Sequence, residues 1–279
     1  MKITNLDPKK YKRFFAFGCS YTNYIWPTWA DIIGQDIEFY ENWGHPGAGN
    51  YFIFNSIIEA DTRYNFNSDD LIIVMWSTKE REDRYSNGNW IHATNIGIEE
   101  IYGKEWVDRF YIDSRSQLIR DLAYMKSIPL ILEHKNTNWS TMSWNENMNS
   151  SSLRPFFHRL QSKKKKDEMI DIWKKNSKDV YNGKDIPEMI DDKDVIKLYQ
   201  DVFVNMTSVF VWFRDIYLKD RKAPNDDLHP MPQEALSFLD WVWPNNTISN
   251  ESREYVKFWS TKIFDEIDNT KPIFKPNRL

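Results

Sequence analysis

Short apolar runs alternate with stretches of helical spacing through the first half of the chain, and this alternation restricts the fold more than any other feature. Runs bounded by turn residues at 14–17, 37–40, 71–76 and 129–133 read as buried strands. Helical patterns at 29–34, 51–60 and 114–125 fall between them, the last with Leu118, Leu122 and Met125 on one face. Strand and helix in turn predict a parallel sheet. In such sheets the binding crevice lies beyond the carboxyl ends of the strands, so residues just after each apolar run are the candidates for chemistry.

The pattern changes over about 136–205, which is polar and Asn/Ser-rich and then Lys/Asp/Glu-rich. It reads as an insertion in one domain spanning 1–279, with 209–213 as a last strand and C-terminal helices at 233–242 and 254–267. Within the insertion, Lys163 to Lys166 are followed at once by Asp167 and Glu168, which makes a solvated helix face of them.

Composition then excludes several classes. A net charge of −4 argues against a nucleic-acid binder held by phosphate contacts. The one cysteine, Cys19, permits no intrachain disulfide, and no Cys/His spacing suits a structural zinc site. No run approaches the roughly 20 apolar residues of a membrane span. Residues 1–11 are polar and basic, so a cytoplasmic protein is expected. Aromatics make up 16% of the chain, which predicts a core rich in rings.

The first strand runs directly into Gly18-Cys19-Ser20-Tyr21-Thr22. This places a serine hydroxyl at the crevice, where amides at a following helix start would hold developing negative charge. The alternative reading is that Ser20 caps that helix. Far downstream stands Asn225-Asp226-Asp227-Leu228-His229-Pro230. With Asp226 three residues before His229, a tight turn brings the carboxylate to one imidazole nitrogen and leaves the other to act as a base. A serine nucleophile needs such a base. The alternative is an acidic turn with an incidental histidine.

Together these blocks, G-x-S-x-T early and D-x-x-H late, resemble the SGNH or GDSL hydrolases. Asn42-Trp43-Gly44-His45-Pro46-Gly47-Ala48-Gly49-Asn50 also resembles that family's second block, with Gly47 at the glycine whose amide serves the oxyanion hole. Read apart from the family, it is a glycine-rich turn with Asn50 capping the next helix. The overall style of the sequence looks like phage-encoded members, for which association with a virion is an alternative location. The resemblance implies a three-layer α/β/α sandwich with a central parallel, flavodoxin-like sheet. It further implies a Ser20, His229 and Asp226 triad that cleaves an ester through an acyl-enzyme, a route that requires neither metal nor organic cofactor. Two departures stand out. Cys19 replaces the usual acidic residue, and Met75-Trp76-Ser77-Thr78 replaces the third-block asparagine that donates to the oxyanion. Ser77 or Thr78 is then the expected hydroxyl donor beside the amides of Ser20 and Gly47.

The expected partner is a small ester or an acylated saccharide, with Tyr21, His45, Asn50 and His134 as candidate substrate contacts, the last read as following a fourth strand. Arg81 among Glu80, Glu82 and Asp83 reads as a local salt-bridge network, and Trp139 and Trp144 as anchors of the insertion. Two other classes compete. A catalytically weak or inactive relative that binds saccharide or serves assembly would explain the missing asparagine. A flavodoxin-like binder would cradle a phosphate at Ser20 and Thr22 but leaves Asp226 and His229 unexplained.

Overall fold

A computed structural model describes residues 2–93, 98–111, 114–143, 202, 206–208 and 229–266. The chain divides into two compact units, one of Met1–Asn145 with Met206–Leu279 and one of Glu146–Asn205. All that follows concerns the first. Asp226, Trp144, the Lys163 to Lys166 run and the strand expected at 209–213 lie outside the described residues.

Strands β1 (Arg13–Phe17), β2 (Phe39–Asn42) and β3 (Asp70–Trp76) are joined by two helices, α1 (Trp29–Gly34) and α2 (Asn50–Tyr64). Next come a hairpin of β4 (Glu82–Ser86) and β5 (Asn89–Ala93), the short helices α3 (Ile98–Tyr102) and α4 (Lys104–Trp106), and the long α5 (Ser114–His134). Strands β6 (Asn138–Ser143) and β7 (Thr207–Ser208) and helices α6 (Pro232–Val242) and α7 (Asn250–Glu266) complete the described unit. Among the described residues, the main sheet has five strands in the order β2-β1-β3-β6-β7, every pair parallel, with Arg13 opposite Phe39 on one side and Asp70 on the other. With the hairpin set aside, this is the doubly wound order whose switch point falls between β1 and β3.

Alternation along β1 explains the layers. Phe14 and Ala16 join Leu71, Ile73 and Met75 in a core closed by Trp29, Ile32 and Ile33 of α1 and by Leu236, Phe238 and Leu239 of α6. Phe15 faces the other way, onto Tyr64 of α2 and Phe66, with ring centroids at 5.0 and 4.9 Å. Helices therefore cover both faces, and β3 is buried along its whole length.

The sequence reading misplaces one strand. Residues 129–133 are the last turns of α5, not a strand: burial of Leu118, Leu122, Met125, Ile128 and Leu132 continues the helical period, while Leu130 is 60% exposed. The fourth long strand is β6, inside the segment read as the start of the insertion. It buries Trp139 and Met142 but also Ser140, Thr141 and Ser143, so its burial leaves little apolar signal in the sequence. Among the described residues, no helix is long and apolar enough to cross a membrane.

Candidate active site

The carboxyl ends of β1 and β3 meet at Gly18. A side chain there would put its Cβ 2.0 Å from Thr22 Oγ1 and 3.0 Å from the Met75 carbonyl, so only glycine fits. The chain then folds into a tight turn in which the Cys19 carbonyl accepts from the amides of Thr22 at 2.9 Å and Asn23 at 3.1 Å. Ser20 sits at the head of this turn, and its amide takes no part in the turn's backbone hydrogen bonds. Helix α1 does not start here. Its cap is Thr28, whose hydroxyl accepts from the Ala30 amide while Asp31 accepts from the Thr28 amide, a capping box. Ser20 is therefore not a helix cap, and the helix N-terminus that both the oxyanion and the flavodoxin-like readings place beside it lies elsewhere.

His229 reaches Ser20 from the segment that leads into α6. Its Nε2 lies 2.8 Å from Ser20 Oγ, although 209 positions separate the two in the chain. The imidazole lies almost flat on Tyr24, with centroids 3.8 Å apart and an 18° tilt, and has Tyr21 beside it at 5.0 Å. Ser20 and His229 open onto a narrow cleft of about 10 Å³, walled by Tyr21, Tyr24, Trp29 and Phe238. This is room for about one water molecule.

A polar network fixes the turn from behind. The Thr22 carbonyl accepts from Thr28 Oγ1 at 2.6 Å and from Asn42 Nδ2 at 2.7 Å, and Asn23 Nδ2 donates to the Gly44 carbonyl at 2.7 Å. Asp31 lies at its centre, taking hydrogen bonds from Thr28, Tyr40 and Asn42. Burial pushes the Asp31 carboxyl up to about 6, against the pull of these donors.

A second, charge-rich network holds the loops after β2 and β3. Asn50 is wholly buried: its Oδ1 accepts from the Ser77 amide at 2.7 Å, and its Nδ2 donates to the Ser77 carbonyl and to Asp121. Asp83 accepts from the amides of Gly49 and Phe52 and pairs with His92 Nδ1 at 2.8 Å, serving as a cap in trans for α2. Arg81 donates to the Ala48 carbonyl, while Arg120 pairs with Glu82 and Asp121. Burial pushes Asp121 up to about 7, opposed by Arg120 and Asn50.

The expected site residues thus separate into groups. Ser20, Tyr21 and His229 come together. Gly47 lies in the turn between β2 and α2 with φ of 83°, a left-handed conformation suited to glycine. Ser77 and Thr78 follow β3 but are buried, with Thr78 Oγ1 accepting from the Glu80 amide. His45 is half-buried beside His92, with rings 4.4 Å apart, and its amide donates to the Gly18 carbonyl. His134 does not follow a strand: it ends α5 in an exposed position at the amino edge of β6, away from Ser20. Among the described residues, no group of three or more His, Cys, Asp or Glu is placed to hold a metal ion. The sequence reading missed Tyr24, Asp31 and His92, named Asn42 only as the start of the second block, and read Asp83 as a partner of Arg81 where it accepts from the Gly49 and Phe52 amides and meets His92. Only Thr28-x-x-Asp31, a capping-box pattern, carried a local signal.

Fold and site together define a parallel α/β protein with a serine and a histidine in contact at the carboxyl edge of its sheet. Compared with protein-family models, curated proteins and solved structures, the chain matches none of them.

Proposed function

We propose that this protein is a serine hydrolase of SGNH type that cleaves a small ester. The observation that carries this reading is the 2.8 Å contact between His229 Nε2 and Ser20 Oγ at the switch point of the sheet. As Oγ bonds to the acyl carbon, its proton passes to His229 Nε2. The same proton then goes to the departing alcohol oxygen, leaving an acyl-enzyme. Water, deprotonated by His229, attacks that ester and frees the acid, restoring the Ser20 hydroxyl. Asp226, three residues before His229, is the proposed partner of the other ring nitrogen. The amides of Ser20 and Gly47 and the hydroxyl of Ser77 or Thr78 are the proposed oxyanion donors. The narrow aromatic cleft beside Ser20 has room for little more than a methyl-sized group, which restricts the proposed acyl group to a short one such as acetyl, and an O-acetylated saccharide is a substrate of that kind.

A binding or assembly protein with a decayed oxyanion hole is the second reading. It is favoured by the burial of both Ser77 and Thr78, the residues proposed to supply the hydroxyl donor. Labelling with a fluorophosphonate, read by intact mass and peptide mapping, separates the two. Labelling at Ser20 that is lost in Ser20→Ala and His229→Ala supports the hydrolase. A folded wild type that takes up no label supports the binding protein instead.

A further inference from the structure

We infer that Tyr24 is a positioning residue for the base: its ring face orients His229 and stabilises the imidazolium formed when Ser20 gives up its proton. This rests on the hydrolase reading of the same site. Base and nucleophile are 209 positions apart, so the 2.8 Å contact between them survives only if something ties the two segments together. The stretch just after Ser20 supplies such ties, with Tyr21 beside the imidazole at 5.0 Å and two closer contacts. Tyr24 stacks on the imidazole at 3.8 Å, and the indole N–H of Trp26 donates to the Pro230 carbonyl at 2.9 Å. Trp26 also supports the first contact, meeting Tyr24 edge-on at 4.7 Å, and is itself buried against Met231 and Ile263.

The stack does more than orient. A positive charge over an aromatic face is attracted by the ring quadrupole, and a neutral imidazole is attracted less. The contact therefore strengthens as the proton moves from Ser20 to His229, which makes it a contribution to the transition state and not to substrate binding. The tyrosine hydroxyl plays no part in this effect, so phenylalanine should serve nearly as well.

The test compares Tyr24→Phe and Tyr24→Leu with wild type, using p-nitrophenyl acetate turnover and the rate of fluorophosphonate labelling, with circular dichroism to confirm folding. Expected are a fall of roughly tenfold in kcat and in labelling rate for Tyr24→Leu with KM within about twofold, and near wild-type values for Tyr24→Phe. Trp26→Phe, which keeps an aromatic edge but loses the N–H, should lower kcat less than Tyr24→Leu. A labelled wild type with an unimpaired Tyr24→Leu, or with Tyr24→Phe as slow as Tyr24→Leu, would overturn the inference alone. A folded wild type that neither labels nor turns over would remove the hydrolase reading and this inference with it.

Discussion

The turn after β1 and the loop after β3 meet at the same edge of the sheet but are held by different physics. Behind Ser20, one carboxylate, Asp31, is surrounded by neutral donors: the amide and hydroxyl of Thr28, the Tyr40 hydroxyl and the Asn42 amide. Behind Ser77, Asp83, Glu82, Arg120 and Asp121 form a charged cluster. Burial raises both interior carboxyls, Asp31 to about 6 and Asp121 to about 7. At Asp121 the upward push of burial is opposed by Arg120 and the Asn50 hydrogen bond and reinforced by the like charge of Asp83. Among the described residues, the turn that carries Ser20 is thus held mainly by neutral hydrogen bonds.

The largest effect expected from breaking either side is at Gly18. Gly18→Ala places a methyl against Thr22 and the Met75 carbonyl, so it should destabilise the protein by about 3 kcal/mol. It should also abolish labelling at Ser20, since the turn must shift to admit it. Chemical denaturation and fluorophosphonate labelling would check both. Undiminished labelling would mean that the turn tolerates a different path.

Next in size is Asp83→Ala, which strips a partner from the amides of Gly49 and Phe52 and from His92 at once. A loss of about 2 to 3 kcal/mol is expected. The matching change on the other side, Thr28→Ala, removes the α1 cap and the hydroxyl's hydrogen bond to the Thr22 carbonyl, and should cost about 1 to 2 kcal/mol. If urea midpoints rank the two in the opposite order, the contrast between the charged and neutral networks is wrong.

A smaller effect sharpens the comparison through pH. Because burial raises Asp121 in the folded state, the folded protein binds that proton more tightly than the unfolded chain does. Its contribution to stability is therefore greatest below about pH 4, the unfolded value, and is lost as pH rises toward about 7. Asp121→Asn, which still accepts from Asn50, should gain in Tm relative to wild type as pH rises from about 4 to about 7. A difference that stays constant with pH would mean that Arg120 compensates the charge fully.

Much of the sheet was legible because β1 and β3 are buried on both faces and so appear as continuous apolar runs. The fourth long strand was not, since β6 buries serine and threonine and lies beside the short β7. The apolar series 128–132 belonged to a helix, which Pro129 obscured by suggesting a break. At the candidate site, the pairing of Ser20 with His229 was readable because two short motifs, and the family they resemble, single out both residues at opposite ends of the chain. Tyr24 was not, because one tyrosine among 14 carries no mark until the fold stacks it on His229. Asp83 and His92 were hidden for a related reason: they act on the α2 amides through tertiary contacts and not at fixed local spacing.

The hairpin that carries them did have a local mark, and it frames the smallest predicted effect. Asn87 and Gly88 have φ of 52° and 80°, the two positive values of a type I′ turn, and Asn-Gly is the pair such a turn selects. Nothing lies within 4 Å of a Cβ built on Gly88, so its role is conformational and not steric. Gly88→Ala should then cost only about 1 kcal/mol, the strain of a left-handed alanine. Its informative consequence is local. Asp83 and His92 face each other across this hairpin in register, so a loosened turn should expose the Gly49 and Phe52 amides to hydrogen exchange before those of Thr22 and Asn23. Equal protection of both sets in Gly88→Ala would show that the α2 cap is held by Asp83 alone, independently of the hairpin that delivers it.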